Sequence, residues 1–281
     1  MSEICIDMNQ DTRDHALSNL ETFDNPKVIR SYTATTSLMQ TESVILSRLQ
    51  SKFIGKKILE IGVGGGRLTP TLLEISKSYI GIDWSEKMTA RCRERFPHVA
   101  FMVCDARNLS GFENGSIDLI VFSFNGIDYV GHTGRIEALR EIHRVLSDGG
   151  VFIFSSHNRR GSVQRPWQLM QPWRTNPLRN PRSFLKLFVG LLVGWVNHIR
   201  NRRYEVHNDE FSILNDQAHD YTLLTYYIDV EKQVYQLNKI GFRKIEAVDF
   251  DGNFLSEIDY TTCQDTSIYY ICRKGGSEAA G

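Results

Sequence analysis

Residues Ile58 to Thr69 read ILEIGVGGGRLT. A short apolar run, Ile58–Ile61, leads directly into a segment with four glycines among five residues. A short apolar run of this kind predicts a buried strand. Glycine lets the backbone adopt tight turns and approach a ligand closely. The stretch therefore predicts a ligand-binding turn at the end of a buried strand.

The spacing of the glycines separates three classes of ligand. A nucleoside triphosphate loop needs G-x-x-x-x-G-K-[ST], and the sequence holds no such string. A dinucleotide turn needs G-x-G-x-x-G, but Arg67 stands where the third glycine belongs. The pattern that remains is Glu60, Gly62, Gly64 and Gly66, or E-x-G-x-G-x-G. Because the carboxylate would repel phosphates, this pattern favours a ligand that has an ammonium group and no phosphate.

The surrounding chain alternates strand-like and helix-like segments, which predicts a parallel sheet with helices on both faces. The predicted strands are Ile58–Ile61, Tyr79–Ile82, Val99–Val103, Leu119–Phe124 and Val151–Phe154, and the predicted helices are Leu68–Ile75, Glu86–Phe96 and Arg135–Leu146. We expect Asp148-Gly149-Gly150 to end the third helix. A helix at Val230–Leu237, ended by Gly241, precedes the predicted strands Phe242–Phe250 and Thr266–Cys272.

These motifs resemble the class I S-adenosylmethionine-dependent methyltransferases, most clearly over residues 56–157 and more weakly over 221–274. The resemblance implies an α/β fold: a Rossmann-like, doubly wound, mostly parallel seven-stranded sheet with helices on both faces. It divides the chain into five parts, namely a helical N-terminal cap (1–54), the core (55–157), an inserted substrate lid (158–220), a C-terminal helix and strand pair (221–274) and a disordered tail (275–281).

The resemblance also implies S-adenosylmethionine as the cofactor. The glycine turn, Gly62, Gly64 and Gly66, would pack against its methionine and ribose, and Glu60 would help to order its amino group. Asp83 ends the second apolar run, where an acidic side chain can accept hydrogen bonds from both ribose hydroxyls.

Further cofactor contacts are predicted around the adenine and over the cofactor. They are Trp84 and Met88 as flanks of the adenine, Asp105 with Ala106 facing its amino group, Phe124 beneath the cofactor, and Tyr32 closing over it.

Four residues are candidates for the acceptor side of the site, three past the strand ends and one in the return from the inserted segment. His157 is the first choice for a base or an acceptor-orienting group, and its alternative is a structural histidine. Tyr129 would form a wall of the substrate pocket, and Asn125 lies just past the fourth strand. His219, with Asp220 beside it, is a further candidate base. We identify no cluster of carboxylates that would bind a metal ion, and we predict no metal.

The predicted lid is basic and aromatic. Residues 159–204 contain nine arginines, one lysine and no acidic residue. The apolar run Leu187–Val196 is too short to span a bilayer and is followed by Arg200, Arg202 and Arg203. Such a lid could receive an anionic or apolar small molecule, rest on an anionic membrane, or dock a carrier protein or nucleic acid. The simplest alternative is a helix buried against the sheet with solvated arginines around it.

Composition narrows these alternatives. Lys plus Arg and Asp plus Glu both number 33, whereas a nucleic-acid binder is more often basic as a whole. The five cysteines are scattered without a C-x-x-C pair, and the N-terminus lacks the apolar core of a secretory signal, so we expect a cytoplasmic protein. The expected activity is methyl transfer to an oxygen or nitrogen of a small molecule. An RNA methyltransferase, a non-catalytic cofactor-binding protein and, weakened by Arg67, a nicotinamide oxidoreductase remain as alternatives.

Overall fold

The computed structural model describes residues 19–161 and 181–275, with backbone only for residues 181–188. Parts of the predicted cap (1–18), lid (162–180) and tail (276–281) therefore lie outside the described residues.

The described chain contains ten strands, one of them only two residues long, and seven α-helices with the bounds given below. It also contains a helical segment at residues 19–23 and several short 3-10 helices. The strands are β1 Ile58–Ile61, β2 Tyr79–Asp83, β3 Ala100–Val103, β4 Ile117–Phe122, β5 Leu146–Asn158, β6 Val206–His207, β7 Phe211–Leu214, β8 Thr225–Ile228, β9 Phe242–Val248 and β10 Ser267–Lys274. The α-helices are α1 Pro26–Ala34, α2 Gln40–Leu49, α3 Thr69–Ile75, α4 Glu86–Arg95, α5 Gly131–Val145, α6 Pro181–Asn201 and α7 Val230–Ile240.

The sheet confirms the predicted α/β fold. Five parallel strands lie in the order β3-β2-β1-β4-β5, and β10 then pairs antiparallel with β5 and with β9. These seven strands separate two apolar cores, because successive strand residues point to opposite faces. Ile120 packs with α5 and α7 on one face, and Val121 packs with α2 and α3 on the other. The helix α7 ends at Gly241, which has a φ of 119°, as the sequence indicates.

Three short strands extend the sheet beyond this prediction. The last two residues of β5 pair with β8, with His157 opposite Tyr227 and Asn158 opposite Ile228. The strands β7 and β6 follow in antiparallel order. Residues 206–214, which sequence analysis assigned to the lid, are therefore part of the sheet in the described chain.

The expected helix end at Asp148-Gly149-Gly150 is wrong. The helix α5 ends at Val145, and these three residues lie inside β5. Gly149 has a φ of 74°, and the pairing of β4 with β5 shifts register nearby. The two glycines therefore accommodate an irregularity in the strand, which a glycine signal alone does not distinguish from a helix terminus.

A buried cation joins the end of the sheet to two helices. Arg135 of α5 is fully buried and forms an ion pair with Asp128, which is fully buried as well. Its Nη2 also donates to Ser156 Oγ at 3.0 Å and to Gln233 Oε1 at 2.5 Å. These bonds satisfy a charge that would otherwise be very costly to bury.

We predict that Arg135→Met lowers the free energy of unfolding by about 3–5 kcal/mol, because it leaves Asp128 buried without its counter-charge. Urea unfolding followed by circular dichroism measures the change. Arg140→Met, at an exposed position of the same helix, is the control and should change stability little. Equal effects of the two substitutions would contradict this account of the buried pair.

Candidate active site

A cavity opens at the carboxyl ends of the parallel strands, where α/β sheets usually bind ligands. It encloses about 690 Å³ of space, which includes open solvent at its mouth. Nine residues that sequence analysis assigned to the cofactor line it together: Tyr32, Gly62, Gly64, Asp83, Trp84, Met88, Asp105, Ala106 and Phe124.

A second chamber adjoins this cavity and shares part of its wall, including Tyr32, Phe124 and Tyr129. The second chamber also receives Glu60, Arg67 and His219. The two spaces therefore adjoin at the glycine turn, where they share lining residues, and two neighbouring parts of a ligand or two ligands could occupy them.

The glycine turn follows β1 and requires residues without side chains. Gly62 and Gly66 have φ values of 65° and 75°, which residues with a Cβ rarely adopt. A methyl group at Gly62 would lie 2.8 Å from the Phe122 ring, and one at Gly66 would lie 2.7 Å from the Phe96 ring. The turn is thus fixed both by backbone conformation and by close packing. Gly66 lies behind the turn, outside the lining of either chamber.

Asp83 holds the glycine turn to the end of β2. Its Oδ2 accepts the backbone N–H of Gly64 at 2.9 Å, and its Oδ1 accepts that of Ser85 at 2.9 Å. Burial raises the pKa of this carboxyl to about 6. Each carboxylate oxygen has a second lone pair. Asp83 could therefore accept two ribose hydroxyls while it keeps both backbone bonds.

The adenine end of the predicted site has a feature that sequence analysis missed. The carboxylate of Asp105 accepts hydrogen bonds from the backbone N–H of Arg107 at 2.9 Å and from its guanidinium. The only sequence signal was the two-residue spacing of an acidic and a basic side chain. Arg107 thus already uses part of the hydrogen-bonding capacity of the Asp105 carboxylate. The contact of Asp105 with an adenine amino group stays a prediction.

Aromatic and apolar side chains close the cavity from above. Met88 is buried in a cluster with Phe23 and Tyr129, and Phe23 lies 6.4 Å from Trp84 between ring centroids. Sequence analysis named Trp84 and Met88 as flanks of the adenine but did not identify Phe23, which lies in the poorly patterned N-terminal region. The cluster gives a flat ring system an apolar environment.

Tyr32 lies directly over the glycine turn. A Cβ at Gly64 would be 3.3 Å from its ring, and the ring lies 6.0 Å from that of Phe124 and 5.9 Å from that of His219. Burial, together with the nearby charge of Asp83, raises the pKa of Tyr32 to about 12. Tyr32 is therefore a neutral wall between the two chambers.

Glu60 points toward the neighbouring strand as well as the second chamber. Its Oε2 accepts hydrogen bonds from the Tyr79 hydroxyl and from Thr69 Oγ1, the latter at 3.0 Å. Burial raises the pKa of Glu60 to about 7. One carboxylate oxygen thus joins β1 to β2 and α3, and a contact of Glu60 with the cofactor's amino group stays a prediction.

Arg67 has a structural partner that sequence analysis did not foresee. Its guanidinium forms a bidentate ion pair with the buried Glu42 of α2, with Nη2 and Oε1 2.6 Å apart. Tyr269 donates to the same Glu42 oxygen at 2.8 Å, and Ser123 donates there too. The glycine turn, α2 and the end of β4 are therefore held to β10 by one buried network.

His157, the first-choice base from sequence, lies at the end of β5 beside a buried carboxylate. Asp128 Oδ2 accepts the backbone N–H of His157 at 2.7 Å and lies 2.7 Å from its Nδ1. The amide of Asn125 lies 3.2 Å from Nε2, and Ser267 holds the other end of that amide at 2.7 Å. Both ring nitrogens therefore have protein partners. Neither His157 nor Asn125 lines the two chambers of the described chain.

Tyr129 separates His157 from the cavity. Its ring lines both chambers, and its centroid lies 6.3 Å from that of His157. The role of Tyr129 as a wall of a substrate pocket stays a prediction, and a direct role of His157 would require a change in side-chain position.

His219 lies at the wall of the second chamber in an unusual backbone segment. His219, Asp220 and Tyr221 all have positive φ values, of 48°, 58° and 61°. Such consecutive left-handed residues are costly and occur often at functional sites. Burial lowers the pKa of His219, so its ring is neutral at pH 7. Its side chain shares no hydrogen bond with that of Asp220 among the described contacts, so they do not form the base and orienter pair considered from sequence.

Among the side chains of residues 19–161 and 189–275, no group of three or more His, Cys, Asp or Glu is placed to hold a metal ion.

A family profile and a curated relative that resemble this chain are both described as methyltransferases. Residues 58–150 match the profile of a family described as "Methyltransferase domain". A probable S-adenosylmethionine-dependent methyltransferase of Mycolicibacterium smegmatis is 30% identical over 116 residues, which are 41% of this chain and 44% of that protein. The chain thus spans less than half the length of this curated relative.

Two solved structures share the fold. A S-adenosylmethionine-dependent methyltransferase from Clostridium acetobutylicum has a TM-score of 0.52 at 15% identity, covering 84% of this chain and 92% of that one. The Burkholderia thailandensis 1,6-didemethyltoxoflavin-N1-methyltransferase, solved with S-adenosylhomocysteine, has a TM-score of 0.54 at 12% identity, covering 92% and 88%.

The side chains of the cavity fit the cofactor of this family. A buried carboxylate with free lone pairs, a glycine turn open to close approach, and an apolar aromatic cover suit a ribose, a methionine chain and an adenine, respectively. Residues 58–150 therefore carry a methyltransferase domain, and the described chain has the fold of S-adenosylmethionine-dependent methyltransferases, whose cofactor these side chains fit.

Proposed function

We propose that this protein transfers the methyl group of S-adenosylmethionine to an oxygen or nitrogen of a small-molecule acceptor. The observation that carries the proposal is the second chamber: its side at Glu60 and the glycine turn would hold the cofactor's methionine, and its side at Tyr32, Tyr129 and His219 is left for an acceptor. An acceptor in this chamber would adjoin the methyl donor. The chamber is lined by side chains of several elements rather than by an open basic groove, which supports a small acceptor over a nucleic acid.

The chain's own task in such a reaction is mainly positioning. The bound cofactor supplies an activated methyl group on a sulfonium, so the protein needs to align the acceptor and exclude water. The rings of Tyr32 and Phe124, whose centroids lie 6.0 Å apart, form an apolar wall between the predicted positions of the cofactor and the acceptor. The buried network of Arg67 and Glu42 holds the glycine turn in place beneath them.

We assign the role of base to His219 for acceptors that lose a proton on methylation. Its neutral ring can take a proton near pH 7, and it lines the chamber directly. The ring nitrogens of His157 are instead beside Asp128 and Asn125, behind Tyr129. His157 would then hold the strand end and the Asn125 turn in position.

Methyl transfer from radiolabelled S-adenosylmethionine to a panel of small phenols, carboxylic acids, amines and purified RNA tests the proposed activity. We expect label in a small molecule. Label in RNA would contradict the acceptor class. Tight binding of S-adenosylhomocysteine with no transfer to any of the panel, in folded protein, would favour a non-catalytic cofactor-binding protein.

Replacing Asp83 tests the ribose contact. We predict that Asp83→Asn weakens S-adenosylhomocysteine binding by about 1.5–3 kcal/mol, because charge-assisted hydrogen bonds to the ribose are lost. Calorimetric titration measures the change, and a thermal melt verifies folding. Asp148→Asn removes the same charge at an exposed position at the start of β5 and is the control. Equal affinities of wild type and a folded Asp83→Asn would overturn the assignment.

The pH dependence of binding follows from the same carboxyl. Because burial raises the pKa of Asp83 to about 6 and only the charged form accepts two hydroxyls, affinity should be constant above this pH and fall as the pH drops through it. Calorimetry between pH 8 and pH 5 measures the profile. The decline should disappear in Asp83→Asn, which separates this carboxyl from Glu60, whose pKa is also raised.

The two histidines are distinguished by paired substitutions. We predict that His219→Asn lowers kcat by roughly 10²–10⁴-fold for a proton-losing acceptor, with S-adenosylhomocysteine affinity unchanged. Asparagine tolerates the left-handed backbone of this position. His157→Asn should lower kcat less. The reverse order of effects would show that His157 is the base and that Tyr129 moves aside.

A further inference from the structure

The helix α6 presents an apolar surface to solvent. Six of its seven large apolar side chains from residue 189 onward are each between 45% and 62% exposed, namely Val189, Leu192, Val193, Trp195, Val196 and Ile199, and the seventh, Leu191, is half-buried. At 3.6 residues per turn these positions form one continuous strip that covers roughly 160° of the helix. We call this strip, with its six residues, the outer face of α6.

The polar side of the same helix faces the protein. His198 is buried, and its Nδ1 lies 2.9 Å from Asn215 Oδ1. Asn197 and Asn201 donate to the backbone carbonyls of Asp220 and Tyr221 at 2.9 Å and 3.0 Å. A helix on a globular surface normally has the opposite arrangement, with its apolar stripe inward. Because the polar contacts hold the helix in this rotation, the outer face cannot turn inward without breaking them.

This orientation corrects the simplest interpretation of the lid. Sequence analysis considered a helix buried against the sheet, and for residues 189–199 the structure shows the apolar side chains outward. The amphipathic pattern indicates that two faces exist but not which of them meets the protein. Only the partners of His198, Asn197 and Asn201 decide this, and they lie on a distant turn and strand end.

Three arginines flank the outer face. Arg200 lies on the same side of the helix as Val189 and Val196, and Arg202 and Arg203 follow in the next turn; all three are exposed. Residues 159–204 contain no acidic side chain, whereas Glu205 follows directly and Glu21 and Asp220 line the cleft beside α6. A partner that offers apolar area together with negative charge would complement the apolar strip and these three arginines.

We propose that the outer face of α6 binds the surface of an anionic lipid bilayer, with the helix axis in the plane of the interface. An exposed apolar strip with a tryptophan and flanking arginines matches the composition of interfacial helices. No described helix is long and apolar enough to cross a membrane. A second copy of the chain would bring its own arginines to the contact and no acidic residue of the segment, whereas anionic headgroups supply the missing charge.

The binding surface has a consequence for the acceptor that rests on the proposed function. A cleft between α1 and α6 is lined by Val193, Asn197 and Arg200 on one side and by Val28 and Ser31 on the other. It reaches His219, which also lines the second chamber. A bilayer under α6 would thus lie beside the entrance to the chamber, which suits an amphiphilic acceptor that partitions into lipid.

Vesicle sedimentation tests the proposal without any assay of methyl transfer. Phosphatidylcholine vesicles with and without phosphatidylglycerol are the probes, and the full chain is the protein. We expect binding to the phosphatidylglycerol vesicles, weakened at least about tenfold by Leu192→Ser combined with Val196→Ser. Ile54→Ser combined with Ile258→Ser, two strongly exposed apolar residues elsewhere, is the matched control and should not change binding.

The charge contribution is measured separately. Replacing Arg200, Arg202 and Arg203 with Gln should weaken binding to phosphatidylglycerol vesicles by at least about tenfold and remove most of its salt dependence. S-adenosylhomocysteine affinity, measured on each variant, verifies that the fold and the cofactor site are intact. It also separates failure of this proposal from failure of the proposed function.

Three results would overturn the proposal. They are absence of vesicle binding by the wild type, equal binding by the Leu192→Ser, Val196→Ser variant, and a wild-type dimer in sedimentation equilibrium that this variant dissociates. The last result would show that a second copy covers the outer face. Binding that requires both the apolar residues and the arginines supports the lipid surface.

Discussion

The hydrogen bond from the Gly64 backbone N–H to Asp83 Oδ2, 2.9 Å long, is the contact on which the site depends. It joins the turn after β1 to the end of β2, two strands that pair side by side in parallel. The turn can reach Asp83 only because glycine permits its positive φ and leaves room for the Phe122 ring. The same carboxylate then lines the cavity, and its remaining lone pairs can accept hydrogen bonds from a ligand.

Features encoded by neighbouring residues were predictable from the sequence. The parallel strands β1 to β5, the closing pair β9 and β10, and the placement of Asp83 and Asp105 at strand ends follow from short apolar runs and the turns after them. The strands and the positions of the two aspartates were predictable for the same reason: the residues that follow the strands of a parallel sheet lie together at one edge of that sheet. The glycine turn was also predictable, because the spacing of its glycines is specific.

Features that depend on contacts distant in sequence were not predictable. His157 is separated from its partner Asp128 by 29 residues, and Arg135 from Gln233 by 98. The added strands β6 to β8 depend on an edge that only β5 provides. The rotation of α6 is the clearest case, because the same apolar pattern would equally describe a helix buried against the sheet. Gly149 and Gly150 were misassigned because glycine marks strand irregularities as well as helix ends.

We infer that the glycine turn and Asp83 bind the methyl donor and not a dinucleotide. Calorimetric titration of the purified protein with S-adenosylhomocysteine, and with NADH in parallel, is the experiment that distinguishes the two ligands. The structure predicts saturable one-to-one binding of S-adenosylhomocysteine and no binding of NADH. Binding of NADH, or of neither ligand by protein shown to be folded, would contradict the account.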